Sequence, residues 1–171
     1  MNQFQKIKPE ELTANPFTLI GRDWALVTAG NGNSHYNTMT ASWGGVGILW
    51  NKPVATIYIR PQRHTYAFLE EGDTFTLSFY DESYRKALAF CGAKSGRDVD
   101  KAKECGLTPV EMDGCVAFAE AKLILTCKKL YWKDIDPAHF CDPSIDSANY
   151  PGRDYHRMYI GEIVGVYQKE S

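Results

Sequence analysis

The order in which strand-like and helix-like runs follow one another is what most limits this chain. β-rich runs at 17–20, 24–29, a segment ending near Ser42, 46–50, 54–59, 74–79 and 158–167 are separated by Gly, Asn, Asp or Pro turns. The run at 54–59 is rich in β-branched residues, and 74–79 alternates with period two. Residues 115–131 read as one long strand or two joined by a kink. Helices are expected at 64–71, closed by Gly72, at 83–90 with Ser83 as N-cap, and at 98–104, stopped by Gly106. They do not alternate regularly with the strands, which argues against a doubly wound parallel sheet. The pattern predicts a mainly β fold, an antiparallel barrel with a few short helices packed outside. Gly161 and Gly165 predict bulges or bends in the last strand.

The 171 residues suit one domain spanning 1–171, with 1–15 as an N-terminal arm that carries a short helical turn at 9–12. A net charge of -2 supplies no global basic field for nucleic acid or anionic lipid. The N-terminus lacks the apolar run of a signal peptide, and Glu120 and Lys122 interrupt the best candidate for a membrane span. The expected location is the cytoplasm, with no nucleic-acid or membrane partner. The five cysteines are odd in number and form no C-x-x-C pair, so neither a disulfide framework nor a zinc knuckle is expected. Cys115 and Cys127 read as core. Cys91, near Lys94 and Arg97, is either a reactive thiol or, as the more ordinary outcome, a buried one. No two of His35, His64, His139 and His156 have the i, i+4 spacing of a helical metal site. Asp134, Asp136, Asp142 and Asp146 are ordinary residues of a turn-rich segment, so no metal is expected.

Chemistry concentrates in two neighbouring stretches. Residues 34–53 pack small hydroxyl residues, glycines and two tryptophans together, as a backbone that must approach a flat polar ligand would. In an extended segment Asn37, Met39, Ala41 and Trp43 share one face, and Thr38, Thr40 and Ser42 the other. The hydroxyls suit either a polar heterocycle or pairing with neighbouring strands. Arg60, Arg63, Thr65 and Tyr66 sit at a strand-to-helix junction, where free N–H groups and cationic side chains favour a phosphate; solvated arginines and a helix cap fit equally. Lys94 and Ser95 precede a further helix start with the same chemistry. There is no P-loop and no G-x-G-x-x-G. His156 is either a proton donor or nicotinamide contact, or a surface histidine. Together these features suit a phosphorylated flat cofactor such as FMN better than a metal or a nucleic acid.

The N-T-M-T-A-S-W run of 37–43, the R-P-x-R-x-T-Y run of 60–66, the segment 94–109 and the H-x4-G-E pattern that starts at His156 together resemble the flavin reductase-like family of FMN-binding split barrels, which includes flavoredoxin. The resemblance covers about residues 17–167. It implies a homodimer of Greek-key split barrels with FMN near the dimer interface. It implies that residues 37–43 run along the isoalloxazine edge. Arg60, Arg63, Thr65 and Tyr66 then hold the phosphate, helped by Lys94 and Ser95, and His156 lies close to the flavin as the catalytic residue. The implied activity is NAD(P)H-dependent flavin reduction, with NADH or NADPH as co-substrate and hydride passing to flavin N5. A non-enzymatic electron carrier serving a redox protein partner needs the same cradle. The turn-rich segment 134–153 departs most from simpler reductases and is expected to cover the flavin or restrict access to it.

Overall fold

The computed structural model, which describes residues 4–170, runs in order through β1 (Phe4–Ile7), α1 (Pro16–Gly21), β2 (Ala25–Gly30), β3 (Tyr36–Ala41), β4 (Gly44–Leu49), β5 (Lys52–Ile59), α2 (His64–Glu71), β6 (Thr74–Phe79), α3 (Arg85–Ala93), α4 (Lys101–Cys105), β7 (Pro109–Met112), β8 (Cys115–Phe118), β9 (Leu123–Asp134), α5 (Pro143–Asn149) and β10 (Arg157–Lys169). Single 3-10 turns fall at Pro9–Glu11, Glu82–Tyr84 and Pro137–His139. Residues 1–3 of the expected arm, and residue 171, lie outside the described residues.

Eight strands form one antiparallel sheet in the order β3-β2-β6-β9-β10-β5-β4, with β1 also on β10. β10 is long enough to serve three partners. Its first half pairs with β5 and its last residues with β1 along one edge, while β9 takes the other. β3 and β4 stand at the two ends of this order, yet only Ser42 and Trp43 separate them in the chain. Two linking residues cannot span a flat sheet, so the sheet curls until its ends meet. The result is the expected mainly β, antiparallel architecture, a barrel split between β3 and β4. Val27, Ile57, Phe75, Leu77, Leu125 and Tyr159 fill its interior. A second cluster of Leu26, Leu88, Phe118 and Ile124 lies under α3 and the β7–β8 hairpin.

Several expectations are corrected. Residues 17–20 form helix, not strand. Asn15 caps it by accepting from the Phe17 N–H at 3.0 Å, and Pro16 occupies the first turn, where its missing N–H costs nothing. These local signals outweigh the β propensity of Phe-Thr-Leu-Ile. Ser83 is no N-cap, because it lies inside the 3-10 turn that leads into α3. The helix expected from Asp98 begins at Lys101, where the Asp100 side chain accepts from the Lys103 N–H; Gly106 ends it in the left-handed region at φ 64°. Part of the arm is a strand on β10; residues 115–131 follow the second of their two readings, as β8 and β9. Residues 46–50, whose apolar run suits barrel or dimer core, are split: Val46 packs against the barrel core, whereas Ile48 is 72% exposed and Trp50 54% within this chain. The register of β10 against β9 slips at Ile160/Gly161 and at Ile163/Gly165, the two expected glycine sites.

Candidate functional site

The corner where the sheet ends meet encloses a cavity of about 240 Å³, lined by Met39, Thr40, Ala41, Ser42, Trp43, Tyr58, Arg60, Arg63 and His156. Strand geometry explains the grouping. Tyr58 and Arg60 lie two apart at the end of β5 and so share a face. Arg157 opposes Ile59 in the β5–β10 ladder, which sets His156 opposite Arg60, one step past the last pair. The Trp43 ring packs 5.2 Å from the His156 ring.

Two arginines make the cavity cationic. Arg60 pairs with Asp154 and donates to the Asn149 carbonyl at 2.9 Å. Arg63 donates through Nη1 to the Gly92 carbonyl at 2.9 Å, while its Nη2 is buried with no partner among the described residues. A buried guanidinium nitrogen without an acceptor is expensive, so this donor is set for an anionic or carbonyl ligand. His156 is buried, and its Nδ1 lies 2.8 Å from the Tyr150 hydroxyl. Burial, helped by the Arg60 charge, lowers its pKa to about 4, so the ring is neutral at physiological pH. It is not a surface histidine.

The other expected site residues lie elsewhere. Asn37 and Thr38 line a separate, larger hollow of about 590 Å³ with Arg97 and Lys101. Thr38 bonds the neighbouring strand: its hydroxyl is 2.9 Å from that of Thr28 and donates to the Val27 carbonyl. Asn37 donates to the Thr65 hydroxyl at 2.7 Å, and Thr65 is fully buried. Tyr66 packs near Tyr159, with Arg157 over its ring. Lys94 closes α3 through its backbone N–H, and the Ser95 hydroxyl accepts from the Arg97 N–H. Lys94 and Ser95 line neither hollow. A Cβ added at Gly96 would fall on the Asn37 side-chain oxygen, so this loop is seated directly on β3 and α2. Cys91 is a buried thiol that burial pushes up to about 12, which removes the reactive reading.

Sequence reasoning missed Tyr58, Tyr150, Asn149 and Asp154. Tyr58 carried a usable signal, its period-two relation to Arg60. The other three fall in or beside the turn-rich segment, which has no period, and only the fold brings them against Arg60 and His156 of the cavity. Among the described residues no group of three or more His, Cys, Asp or Glu converges as a metal site, and no helix is long and apolar enough to cross a membrane.

The flavin reductase-like domain model matches residues 17–171. Among solved structures, flavoredoxin of Desulfovibrio vulgaris (Miyazaki F) is 24% identical with a TM-score of 0.68, over 97% of this chain and 78% of that one. An FMN-binding domain of a flavin reductase-like enzyme from Shewanella baltica is 18% identical with a TM-score of 0.68, over 98% and 78%. An NADH:FAD oxidoreductase from Streptomyces globisporus, solved with NAD and FAD fragments, is 18% identical with a TM-score of 0.62, over 85% and 74%. No curated protein matches the chain.

Proposed function

The chain belongs to the flavin reductase-like family, and from that premise we propose that it binds FMN at the split between β3 and β4 and works as an NAD(P)H-dependent flavin reductase. The observation that carries this reading is the buried, unpartnered Nη2 of Arg63, beside Arg60 in a cavity walled by Trp43 and Met39. A cationic pocket with an aromatic wall fits an anionic, flat heterocycle. Bound FMN supplies the hydride chemistry. The protein's part is to hold and orient it. Residues Met39, Thr40, Ala41, Ser42 and Trp43 lie along the ring, Arg60 and Arg63 provide positive charge, and neutral His156 offers a hydrogen bond. Asn37, Thr38, Thr65, Tyr66, Lys94 and Ser95 support that cradle from behind: Asn37 and Thr65 tie β3 to α2, Thr38 bonds β2, Tyr66 packs near Tyr159 of β10, and Lys94 and Ser95 hold the end of α3 and the loop after it.

The reading extends to a homodimer and to the cytoplasm. A second copy of the chain covers the β4–β5 hairpin, where Ile48, Leu49 and Trp50 stand exposed. Trp50 also holds the left-handed region at φ 51°, an unfavourable conformation for a bulky residue at a free hairpin tip. Likeness to flavoredoxin keeps a second reading, an electron carrier for a redox protein partner.

Reconstitution tests the shared premise: protein incubated with FMN and desalted is expected to stay yellow. A colourless product overturns both readings. Anaerobic mixing with NADH or NADPH then separates them. Prompt bleaching supports the reductase, and bleaching no faster than for free FMN supports the carrier.

A further inference from the structure

The turn-rich segment expected to cover the site lines no part of the cavity itself; it holds, from behind, two residues that do, Arg60 and His156. α5 ends at Asn149, whose carbonyl accepts from Arg60. The next residue, Tyr150, is only 5% exposed, lies under the Arg60 guanidinium at 5.1 Å, and brings its hydroxyl to 2.8 Å from His156 Nδ1. Asp154 then pairs with Arg60 from the other side. Six residues of chain thus secure both the cation and the histidine of the cavity.

We infer that Tyr150 is a positioning residue: its hydroxyl donates to Nδ1 of His156 and fixes the imidazole with its proton on Nε2, the nitrogen that faces a ligand acceptor. A neutral imidazole carries one N–H, and the other nitrogen accepts. The Tyr150 hydroxyl has no other acceptor among the described residues, so its proton is satisfied only by Nδ1. The opposite arrangement, Nδ1–H donating to the phenol oxygen, leaves a buried hydroxyl proton without a partner. Nε2 makes no hydrogen bond to the described residues, and His156 lines the cavity. The ring is thereby a hydrogen-bond donor to a carbonyl or ring nitrogen, not a base. Burial supports the neutral pair, since it raises the Tyr150 pKa and lowers that of His156. The tautomer stands on geometry alone. That its acceptor is a flavin atom rests on the function proposed above.

Long-range 1H–15N NMR of the imidazoles in flavin-free protein reads the tautomer directly, with His156→Asn assigning the signals. The wild-type His156 is expected to show the Nε2–H pattern at neutral pH. Tyr150→Phe, which keeps the ring and its packing, is expected to move those signals from the pure Nε2–H pattern toward the mixed pattern of an imidazole with no partner fixing Nδ1. A wild-type Nδ1–H pattern, which needs no variant to observe, overturns the inference. So does a Tyr150→Phe chain with unchanged signals. A second arm tests the acceptor: in FMN-loaded protein the flavin reduction potential is expected to move between wild type and Tyr150→Phe. A changed tautomer with an unchanged potential removes the flavin as acceptor. Failure to load FMN at all overturns the flavin reading while leaving the tautomer result in place.

Discussion

His156 shows how a single residue joins stability to the site. Burial first, and the Arg60 charge second, hold its folded pKa at about 4, below the ordinary 6.5. The unfolded ring takes up a proton as pH falls through about 6.5, and the folded ring does so only near 4. Its contribution to stability is therefore complete above pH 6.5 and is lost as pH falls from there toward 4. At about 1.4 kcal/mol per pKa unit the loss approaches roughly 3 kcal/mol. Urea denaturation at pH 7 and pH 4.5 is expected to show a steeper loss for wild type than for His156→Gln, and equal slopes would contradict it. This environment could not be read from the sequence, where His156 lies between a tyrosine and an arginine and is as compatible with a surface place. Cys91 makes the same point in reverse. Lys94 and Arg97 are close along the chain, but the helix turns the thiol into the interior toward Cys105, 3.9 Å away. Thr38 is half legible: pairing across the sheet is one of the two readings its sequence leaves open.

At the scale of elements, local chemistry was read well where the signal was explicit. The helix at His64–Glu71 and the strand at Thr74–Phe79 fall where the pattern puts them. α1 did not, because Asn15-Pro16 works both as a strand opener and as a cap with proline behind it. β10 is the element on which the barrel depends, and its glycines were legible as breaks in an otherwise apolar strand. Their reason is tertiary. A Cβ at Gly161 would sit 2.7 Å from the ring of Phe75, which is 1% exposed, and 3.0 Å from the Cys127 Cβ. Neither neighbour is free to move. Gly161→Ala is therefore expected to destabilise the chain by about 1–3 kcal/mol, as overpacking of a dense core does. A thermal melt checks this, and an unchanged midpoint would mean that β10 can shift in register to make room.

The architecture of the whole molecule links the dimer proposal to the site. β4 lies between Trp43, at the cavity, and Trp50, at the hairpin tip, whose ring lies 6.2 Å from Tyr131 on β9. An apolar hollow of about 400 Å³, lined by Phe17, Ile20, Trp43 and Val46 among others, adjoins the cavity through Ser42 and Trp43. Any copy of the chain that covers Ile48 and Trp50 lies along the same strand as the cavity wall. The sequence showed the apolar composition of 46–50 but not whether it faced inward, because a barrel strand and an interface strand bury the same residue types. Exposure decides it: a lysine at position 48 meets solvent in one chain and an apolar surface in two. Wild-type protein is expected to sediment at twice the mass of one chain at micromolar concentration. Ile48→Lys is expected to keep the fold by circular dichroism, shift the population toward the monomer, and bind FMN more weakly because the wall at Trp43 loses its cover. A monomeric wild type would remove the dimer. A monomeric Ile48→Lys variant with full FMN affinity would show that each barrel completes its site alone.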